Sequence, residues 1–220
     1  MKKIAIAIHG TNNVDFGAYV NHLNFIAGLT NQYELFLITT KNVKIAEARN
    51  LIIDKALGLN CDYILFLDTD HIVPIDMLFR LIALMEHAKV ASGLICRRRG
   101  ELDVIGYVKD EGWHKVDIKP NTGFYFVDSC AFGCTLIDMS VFAELVKPYF
   151  YDDVCFADEG TSRFRGDTYF CMNVRQLGHK VIIDSGIEVG HIGEPYVVYP
   201  STCMKLKEIV ASDILKLTHV

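Results

Sequence analysis

Strand-like and helix-like patterns of hydrophobic residues alternate along the first part of the chain. Short apolar runs that suit buried strands are separated by stretches in which apolar residues recur every three or four positions, as on one face of a helix. The predicted strands are Lys3–Ile8, Glu34–Thr40, Tyr63–Leu67 and Val90–Ile95, and the predicted helices lie near Ala18–Leu29, at Ile45–Gly58 and after Pro74. This alternation predicts an α/β domain with a mostly parallel sheet flanked by helices.

The pattern is less regular after Ile95. The segment Arg97–Phe124 is rich in glycine and charge, and a turn-like Asp-Glu-Gly precedes Trp113, which predicts an insertion that carries a hairpin. The next apolar run, Phe126–Leu136, is predicted as one strand, and Gly133 in its middle would let a ligand approach closely.

The last third of the chain is predicted to continue the same domain. The expected elements are a polar loop at Asp152–Gly166, a helix at Asp167–Leu177 that Gly178 ends, and strands at Lys180–Ile183 and Ile187–Val189. An amphipathic tail helix from Pro200 could dock on the domain, pair with another subunit or rest on a membrane. We therefore predict a single domain over residues 1–220, with an insertion near 97–124 and a helical tail at 200–220.

Composition narrows the class of protein further. A chain of 220 residues with 51% hydrophobic and 22% charged residues is typical of one globular domain and not of a disordered segment. The apolar run Ile4–Ile8 stops at His9, so it predicts a first strand and not a secretion signal, and no run is long enough to span a bilayer.

Seven cysteines without a Cys-x-x-Cys pair indicate reduced thiols and a cytoplasmic protein. A net charge of −5 argues against extended contact with nucleic acid.

The end of the third predicted strand is the first candidate for chemistry. Asp68 and Asp70 follow the apolar run Tyr63–Leu67, and His71 comes next. Residues two apart in a strand point to the same side, and the carboxyl edge of an open α/β sheet is where ligands bind. The pattern favours a metal site, although Asp70 could cap the following helix and Asp68 could be a turn residue.

Arg49 is the second candidate, because it falls on the apolar face of its predicted helix among Ile45, Ile52, Ile53 and Ala56. Its long stem could let the guanidinium reach solvent from a buried position. Alternatively, an arginine that faces the strand edge could hold an anionic group such as a phosphate by a forked contact.

Two later residues could also take part. Asp167 heads a helix, where N-capping is the ordinary role, but a carboxylate there could also take a proton from a substrate, with Asp158 and Glu159 as alternatives. His191 lies between glycines at the end of a predicted strand, and an imidazole combined with carboxylates is a plausible Mn²⁺ site.

Four motifs occur in the order seen in glycosyltransferases of the GT-A fold. They are Ala48-Arg49-Asn50, Phe66-Leu67-Asp68-Thr69-Asp70, Gly166-Asp167-Thr168-Tyr169-Phe170-Cys171 and Gly190-His191-Ile192-Gly193. The chain resembles the family 2-like members of this superfamily over residues 3–195. The resemblance implies an enzyme that moves a sugar from a nucleoside-diphosphate sugar, such as a UDP- or GDP-sugar, to an acceptor hydroxyl.

The resemblance also implies a metal site. Asp70 and His191 would bind a divalent cation, commonly Mn²⁺ and alternatively Mg²⁺, while Asp68 would contact the metal indirectly or bind the donor's ribose. His71 then resembles a turn residue more than a ligand.

Roles in donor binding and in proton transfer follow from the same resemblance. Arg49 would line the nucleotide pocket, with His9 and Thr11 after the first strand as further donor-binding candidates. Asp167 would be the catalytic base of an inverting transfer, although Gly166 stands where the family has glutamate, and retention stays open.

Other functions and several partners stay open at this point. A nucleotidyltransferase would need a basic loop after the first strand, which is uncharged here, and a non-catalytic nucleotide-sugar-binding module would keep the fold without turnover. The acceptor could be a modified DNA base, a glycan, a lipid or a protein. The chain could also form a homo-oligomer.

Overall fold

A computed structural model describes residues 1–11, 14–98, 103–152, 154–155, 163–164, 166–193 and 197–202. The strands are β1 (Lys3–Gly10), β2 (Glu34–Lys41), β3 (Tyr63–Asp68), β4 (His71–Ile72), β5 (Val90–Ile95), β6 (Gly106–Lys109), β7 (Trp113–Lys115), β8 (Phe124–Val127), β9 (Ser129–Cys130), β10 (Cys134–Asp138), β11 (Val154–Cys155), β12 (Arg163–Phe164), β13 (Val181–Ile192) and β14 (Val197–Val198). The α-helices are α1 (Phe16–Leu29), α2 (Ile45–Gly58), α3 (Met77–Leu84) and α4 (Gly166–Gln176), and a short 3₁₀ helix spans Met139–Ala143.

One large sheet organises the domain. Its main strands lie in the order β14, β13, β5, β10, β3, β1, β2, and β4 and β8 also pair with β13. Strands β2, β1, β3, β5 and β13 run parallel, and β10 is antiparallel to its neighbours β3 and β5. The predicted α/β class with a mostly parallel sheet flanked by helices is confirmed.

Helices cover both faces of the sheet, as the nearly continuous apolar strands require. Side chains of α1 and α3 pack in one buried cluster with β1 and β3, and side chains of α2 and α4 pack in a second cluster on the opposite face. Helix α2 has the predicted limits, and Gly178 follows α4 with a φ of 84°, the left-handed conformation that glycine adopts at helix ends. Among the described residues, no helix has both the length and the hydrophobicity that a membrane span requires.

The single strand predicted at Phe126–Leu136 is wrong. Three strands occupy this region: β8 pairs with β13, β9 pairs with β6, and β10 enters the centre of the main sheet. Asp128 separates β8 from β9, because its carboxylate accepts hydrogen bonds from the Lys109 backbone and from Arg175 Nε. The largely apolar segment Phe126–Leu136 therefore contains two changes of pairing partner.

The opposite error concerns the last long strand. Two strands are predicted at Lys180–Ile183 and Ile187–Val189, but β13 is one strand whose pairing with β5 shifts register between Asp184 and Glu188. Arg80 holds this irregular segment, since it donates to both carboxylate oxygens of Asp184 and to the Gly186 carbonyl. The insertion carries the predicted hairpin, β6–β7, with its turn before Trp113.

Candidate active site

The carboxyl ends of three adjacent parallel strands form one edge of the site. The register of β1 against β3 sets His9 opposite Asp68, and a 3.0 Å hydrogen bond joins His9 Nδ1 to Thr40 Oγ1 at the end of β2. Thr11 follows directly after β1. Three of the four donor-binding candidates, His9, Thr11 and Asp68, therefore lie at the sheet edge where α/β proteins bind ligands.

Asp70, His71 and His191 form a cluster that could hold a metal ion. One potential ligand atom from each residue lies within 4.8 Å of the others. The short strand β4 creates the cluster, because it pairs with the end of β13 and sets His71 opposite His191. The structure brings Asp70 close to His191, and His71, interpreted from sequence as a turn residue, lies beside them.

Helix α1 fixes the position of β4 from the other side. His22 Nε2 donates a 3.1 Å hydrogen bond to the His71 carbonyl, and Asn21 exchanges two hydrogen bonds with the backbone of Val73. Burial lowers the pKa of His22, which suits a neutral ring that donates to a carbonyl. No sequence signal distinguishes these two residues from the rest of α1, because their role depends on how the helix packs.

The hydrogen bonding of His191 leaves two acceptor atoms facing each other. His191 Nδ1 lies 2.8 Å from the Cys96 carbonyl, which can only accept, so Nδ1 carries the proton. In the neutral ring Nε2 is then a bare acceptor, and it faces Asp70 Oδ2 at 3.6 Å. Two facing acceptors need a cation between them or beside them, and a histidine held by a backbone carbonyl is the usual arrangement of a metal ligand.

His71 is buried with neither ring nitrogen hydrogen-bonded. Only 3% of the residue is exposed, and although Nδ1 lies 2.9 Å from Asp70 Oδ1, the geometry does not suit a hydrogen bond. Its ring stacks on His191 with centroids 4.3 Å apart. A buried ring nitrogen without a partner is costly, so the donor set fits a bound divalent cation.

Gly133 makes room for the His71 ring. A Cβ at this position would lie 2.5 Å from His71 Cε1 and 2.7 Å from Nε2. The close approach predicted for a ligand at Gly133 is therefore made by a side chain of the protein itself.

Asp70 is the acid of this three-residue cluster, and Arg98 is a cation in contact with it. Arg98 Nη1 lies 2.6 Å from Asp70 Oδ2 and also donates to the Ile192 carbonyl at 2.9 Å. The carboxylate is therefore charged and already close to one cation.

Arg49 and Asp167 form a second centre. Arg49 is only 4% exposed, so its guanidinium does not reach solvent, and Nη1 is hydrogen-bonded to Asp167 Oδ1. The guanidinium carbon lies 5.1–5.8 Å from the ring centroids of Phe66, Phe132 and Phe150. Burial opposes the charge on Arg49, but the carboxylates of Asp167 and Asp68 outweigh it and raise the pKa of Arg49.

The sequence of residues 28–146, more than half of the 220-residue chain, matches the family model described as glycosyl transferase family 2. The chain belongs to this family. It is a glycosyltransferase by family, with the GT-A architecture that the four motifs predict. A search among curated protein sequences gives no match.

Solved structures with a similar fold include A197 from STIV. This chain and A197 share 20% identity with a TM-score of 0.63, and the similarity covers 92% of each chain. TarS from S. aureus, solved in complex with UDP-GlcNAc, shares 13% identity with a TM-score of 0.45 over 84% of this chain and 55% of TarS. At such identities the similarity to A197 supports the fold alone.

Within this family 2 domain, two structural residues near Arg49 were not predicted. Asn50 accepts from the backbone N–H groups of Tyr149 and Phe150 and donates to the Phe150 carbonyl, which brings the Phe150 ring onto Arg49. Asp152 accepts from the first turns of both α2 and α4, at Ala46 and Gly166. Asn50 belongs to the Ala-Arg-Asn motif and could have been found there, whereas Asp152 carries no sequence signal.

The structure does not bring all the predicted residues of the glycosyltransferase together. Asp68, proposed as an indirect metal contact, is not part of the Asp70, His71 and His191 cluster. Asp167 does not cap α4, because its carboxylate is directed to Arg49. Asp158, Glu159 and the tail from Cys203 onward lie outside the described residues.

Proposed function

We propose that this glycosyltransferase is metal-dependent and moves a sugar from a UDP- or GDP-sugar to an acceptor hydroxyl with inversion at the anomeric carbon. The observation that carries the metal dependence is the pair of facing acceptors, His191 Nε2 and Asp70 Oδ2, beside the ring nitrogens of His71, neither of which makes a hydrogen bond. A cluster of one carboxylate and two imidazoles could hold a divalent cation, and the resemblance to GT-A enzymes favours Mn²⁺ or Mg²⁺.

Asp70, His71 and His191 hold the cation in this proposal. The chemistry that the cation supplies when bound is neutralisation of negative charge on the departing nucleoside diphosphate. The buried position of His71 and the Cys96 carbonyl behind His191 keep both imidazoles oriented before any ligand arrives.

Asp167 acts as the general base. Its side chain is 27% exposed, so a substrate can reach it, and its bond to buried Arg49 fixes the direction of the carboxylate. As the acceptor oxygen attacks the anomeric carbon, its proton passes to Asp167 and the bond to the diphosphate oxygen breaks. Inversion follows from one displacement on the face opposite the leaving group.

The remaining donor-binding candidates lie where the nucleoside would enter. His9, Thr11 and Asp68 lie at the carboxyl edge of β1 and β3, which supports contacts with the ribose or base. Arg49 is enclosed by aromatic rings, and its charge therefore acts on the donor through Asp167 and Asp68. This role is less direct than the forked contact expected from sequence.

A second candidate function is a nucleotide-sugar-binding module without turnover. It is favoured by Gly166, which stands where the family motif has glutamate. Such a module would use the metal cluster and the donor edge but would transfer no sugar.

We also propose a cytoplasmic location. Cys61, Cys96, Cys130, Cys134 and Cys171 are buried with free thiols. Free thiols are usual in reducing compartments.

The test is release of UDP or GDP from a panel of nucleotide sugars with Mn²⁺ present. We expect Asp70→Asn to reduce release at least about 100-fold through loss of metal, and Asp167→Asn to reduce it by about 10²–10⁴-fold through loss of the base. Asp76→Asn is the control, since Asp76 is exposed and its side chain makes no capping bond.

The outcomes separate the two functions. Saturable binding of a nucleotide sugar without release would establish the binding module. Release that Asp70→Asn leaves unchanged would overturn the metal assignment, and release that Asp167→Asn leaves unchanged would overturn the base.

A further inference from the structure

Arg98 occupies the position beside Asp70 where positive charge is needed. Its Nη1 lies 2.6 Å from Asp70 Oδ2, the same oxygen that faces His191 Nε2. The Ile192 carbonyl accepts from the same Nη1 at 2.9 Å, and the Ile192 N–H donates to the Asp70 carbonyl at 2.8 Å. The bond to Ile192, at the end of β13, therefore orients Arg98 toward Asp70.

The contacts of Arg98 differ from those of Arg80, which also holds a carboxylate. Arg80 donates from Nε, Nη1 and Nη2 to Asp184 and Gly186, which is a fixed clamp. The described contacts of Arg98 all use Nη1. A guanidinium held by one nitrogen at the rim of a site can move away at little cost.

A divalent cation in the cluster would compete with Arg98. Both would bind the same carboxylate oxygen of Asp70, and two cations at this separation repel each other. This repulsion favours departure of Arg98 from Oδ2 when that oxygen binds a metal. The released guanidinium would lie next to the metal, where the diphosphate of the donor must lie.

We propose that Arg98 is a built-in counter-ion of Asp70, which a divalent cation displaces so that Arg98 becomes free to bind the donor's diphosphate. This inference rests on the metal assignment in the proposed function. Binding of the metal and pairing of Arg98 with Asp70 are then mutually exclusive. Metal binding also favours binding of the diphosphate, because the released Arg98 guanidinium can make a forked contact with it.

The first test compares Arg98→Gln with the wild type in Mn²⁺ titrations monitored by thermal unfolding and calorimetry. Without metal, Arg98→Gln lowers the melting temperature, because Asp70 loses its counter-ion. Its affinity for Mn²⁺ rises at least about tenfold, since nothing has to be displaced. At saturating Mn²⁺ the melting temperatures of the two proteins therefore converge or cross.

Two matched variants serve as controls. Arg97→Gln removes the neighbouring arginine, which bonds to the Tyr107 hydroxyl, and it leaves Mn²⁺ affinity unchanged. Arg98→Lys keeps the charge, so its Mn²⁺ affinity stays within about threefold of the wild type while a forked contact is lost.

The second test measures UDP affinity at saturating Mn²⁺. Arg98→Gln and Arg98→Lys both weaken UDP binding at least about fivefold, although Arg98→Gln binds the metal more tightly. An Mn²⁺ affinity that is unchanged or weaker in Arg98→Gln would overturn the competition, and unchanged UDP affinity would overturn the diphosphate contact. Absence of Mn²⁺ binding in every variant would instead refute the proposed metal site together with this inference.

Discussion

Gly133 shows how a single missing Cβ can shape a candidate metal site. The His71 ring lies where that Cβ would be, since three of the ring atoms are only 2.5–2.9 Å from the position a Cβ would take. The ring cannot move outward freely, because His191 stacks on it. The imidazole is therefore held between a glycine backbone and a second imidazole.

We predict that Gly133→Ala displaces His71 and weakens Mn²⁺ binding at least about tenfold, as loss of support around a metal ligand does. The free energy of unfolding should fall by about 1–3 kcal/mol, the usual cost of overpacking. Calorimetric Mn²⁺ titration and urea unfolding measure the two effects.

The control is Gly58→Ala at the end of α2, where a Cβ meets nothing within 4 Å. This variant should keep its Mn²⁺ affinity and gain a few tenths of a kcal/mol, up to about 1, of stability. Normal Mn²⁺ affinity in Gly133→Ala would contradict the proposed role of His71.

Arg49 is a second buried residue whose position depends on the groups around it. It has three carboxylates around it, from Asp167, Asp68 and Asp152, and three aromatic rings. Loss of Arg49 would leave these carboxylates to repel one another. The bond to Asp167 therefore contributes to folding as well as to the orientation of the base.

We predict that Arg49→Met lowers the free energy of unfolding by about 3 kcal/mol, the low end for breaking a buried ion pair, because Asp167 keeps some contact with water. In an Asp167→Asn background the same substitution should cost about 1–3 kcal/mol less. A double-mutant cycle in urea measures this coupling, and additive effects would show that the pair is not energetically linked.

Strand β10 is the element that interrupts the parallel order of the sheet, and its end is secured by Asp138. One oxygen of Asp138 accepts from the Ser140 N–H at 2.9 Å, and the other lies 2.7 Å from Lys89 Nζ. Burial favours the neutral acid, but the bonds from Lys89 and Ser140 outweigh burial and lower the pKa of Asp138. Charge on Asp138 therefore stabilises the folded state.

We predict that Asp138→Asn lowers stability at neutral pH and that the difference from the wild type disappears in acid. A carboxyl with a lowered folded pKa stabilises the protein above its unfolded pKa of about 3.9 and loses this effect as the pH falls through the folded pKa. Asparagine still caps the 3₁₀ helix, so the variant isolates the charge.

Urea unfolding between pH 7 and pH 2 measures this difference. In a Lys89→Met background the effect of Asp138→Asn at neutral pH should shrink, because the main partner is gone. A difference that stays constant down to pH 2 would exclude the ionised carboxylate as its cause.

For the whole molecule, the hydrophobic pattern could predict the alternation of strands and helices in the first part of the chain, but it could not predict the direction of β10. Parallel and antiparallel strands buried on both faces have the same apolar run, so nothing in Cys134–Asp138 distinguishes β10 from its neighbours. The break at Asp128 depends on Arg175 and Lys109, which are distant in sequence or lie in another hairpin.

The residues of the candidate site that lie in short sequence motifs could be predicted from the sequence. Asp70, Asp167 and His191 each lie in a short motif, and Arg49 was identified as a charge on an apolar helix face. The contributions of His71 and Arg98 depend instead on the pairing of β4 with β13 and on the position of the chain after β5. Such long-range contacts leave no trace in the spacing of residues.

The pairing of β4 with β13 also has a consequence for how the protein matures. His71 and His191 are directly paired although 120 residues separate them (191 − 71). On the ribosome, Asp70 and His71 emerge long before His191, and a nascent chain that has folded its first strands still lacks one residue of the proposed cation site. Under the proposed function, metal can therefore bind only after β13 has joined the sheet, and it then selectively stabilises chains in which this pairing has formed.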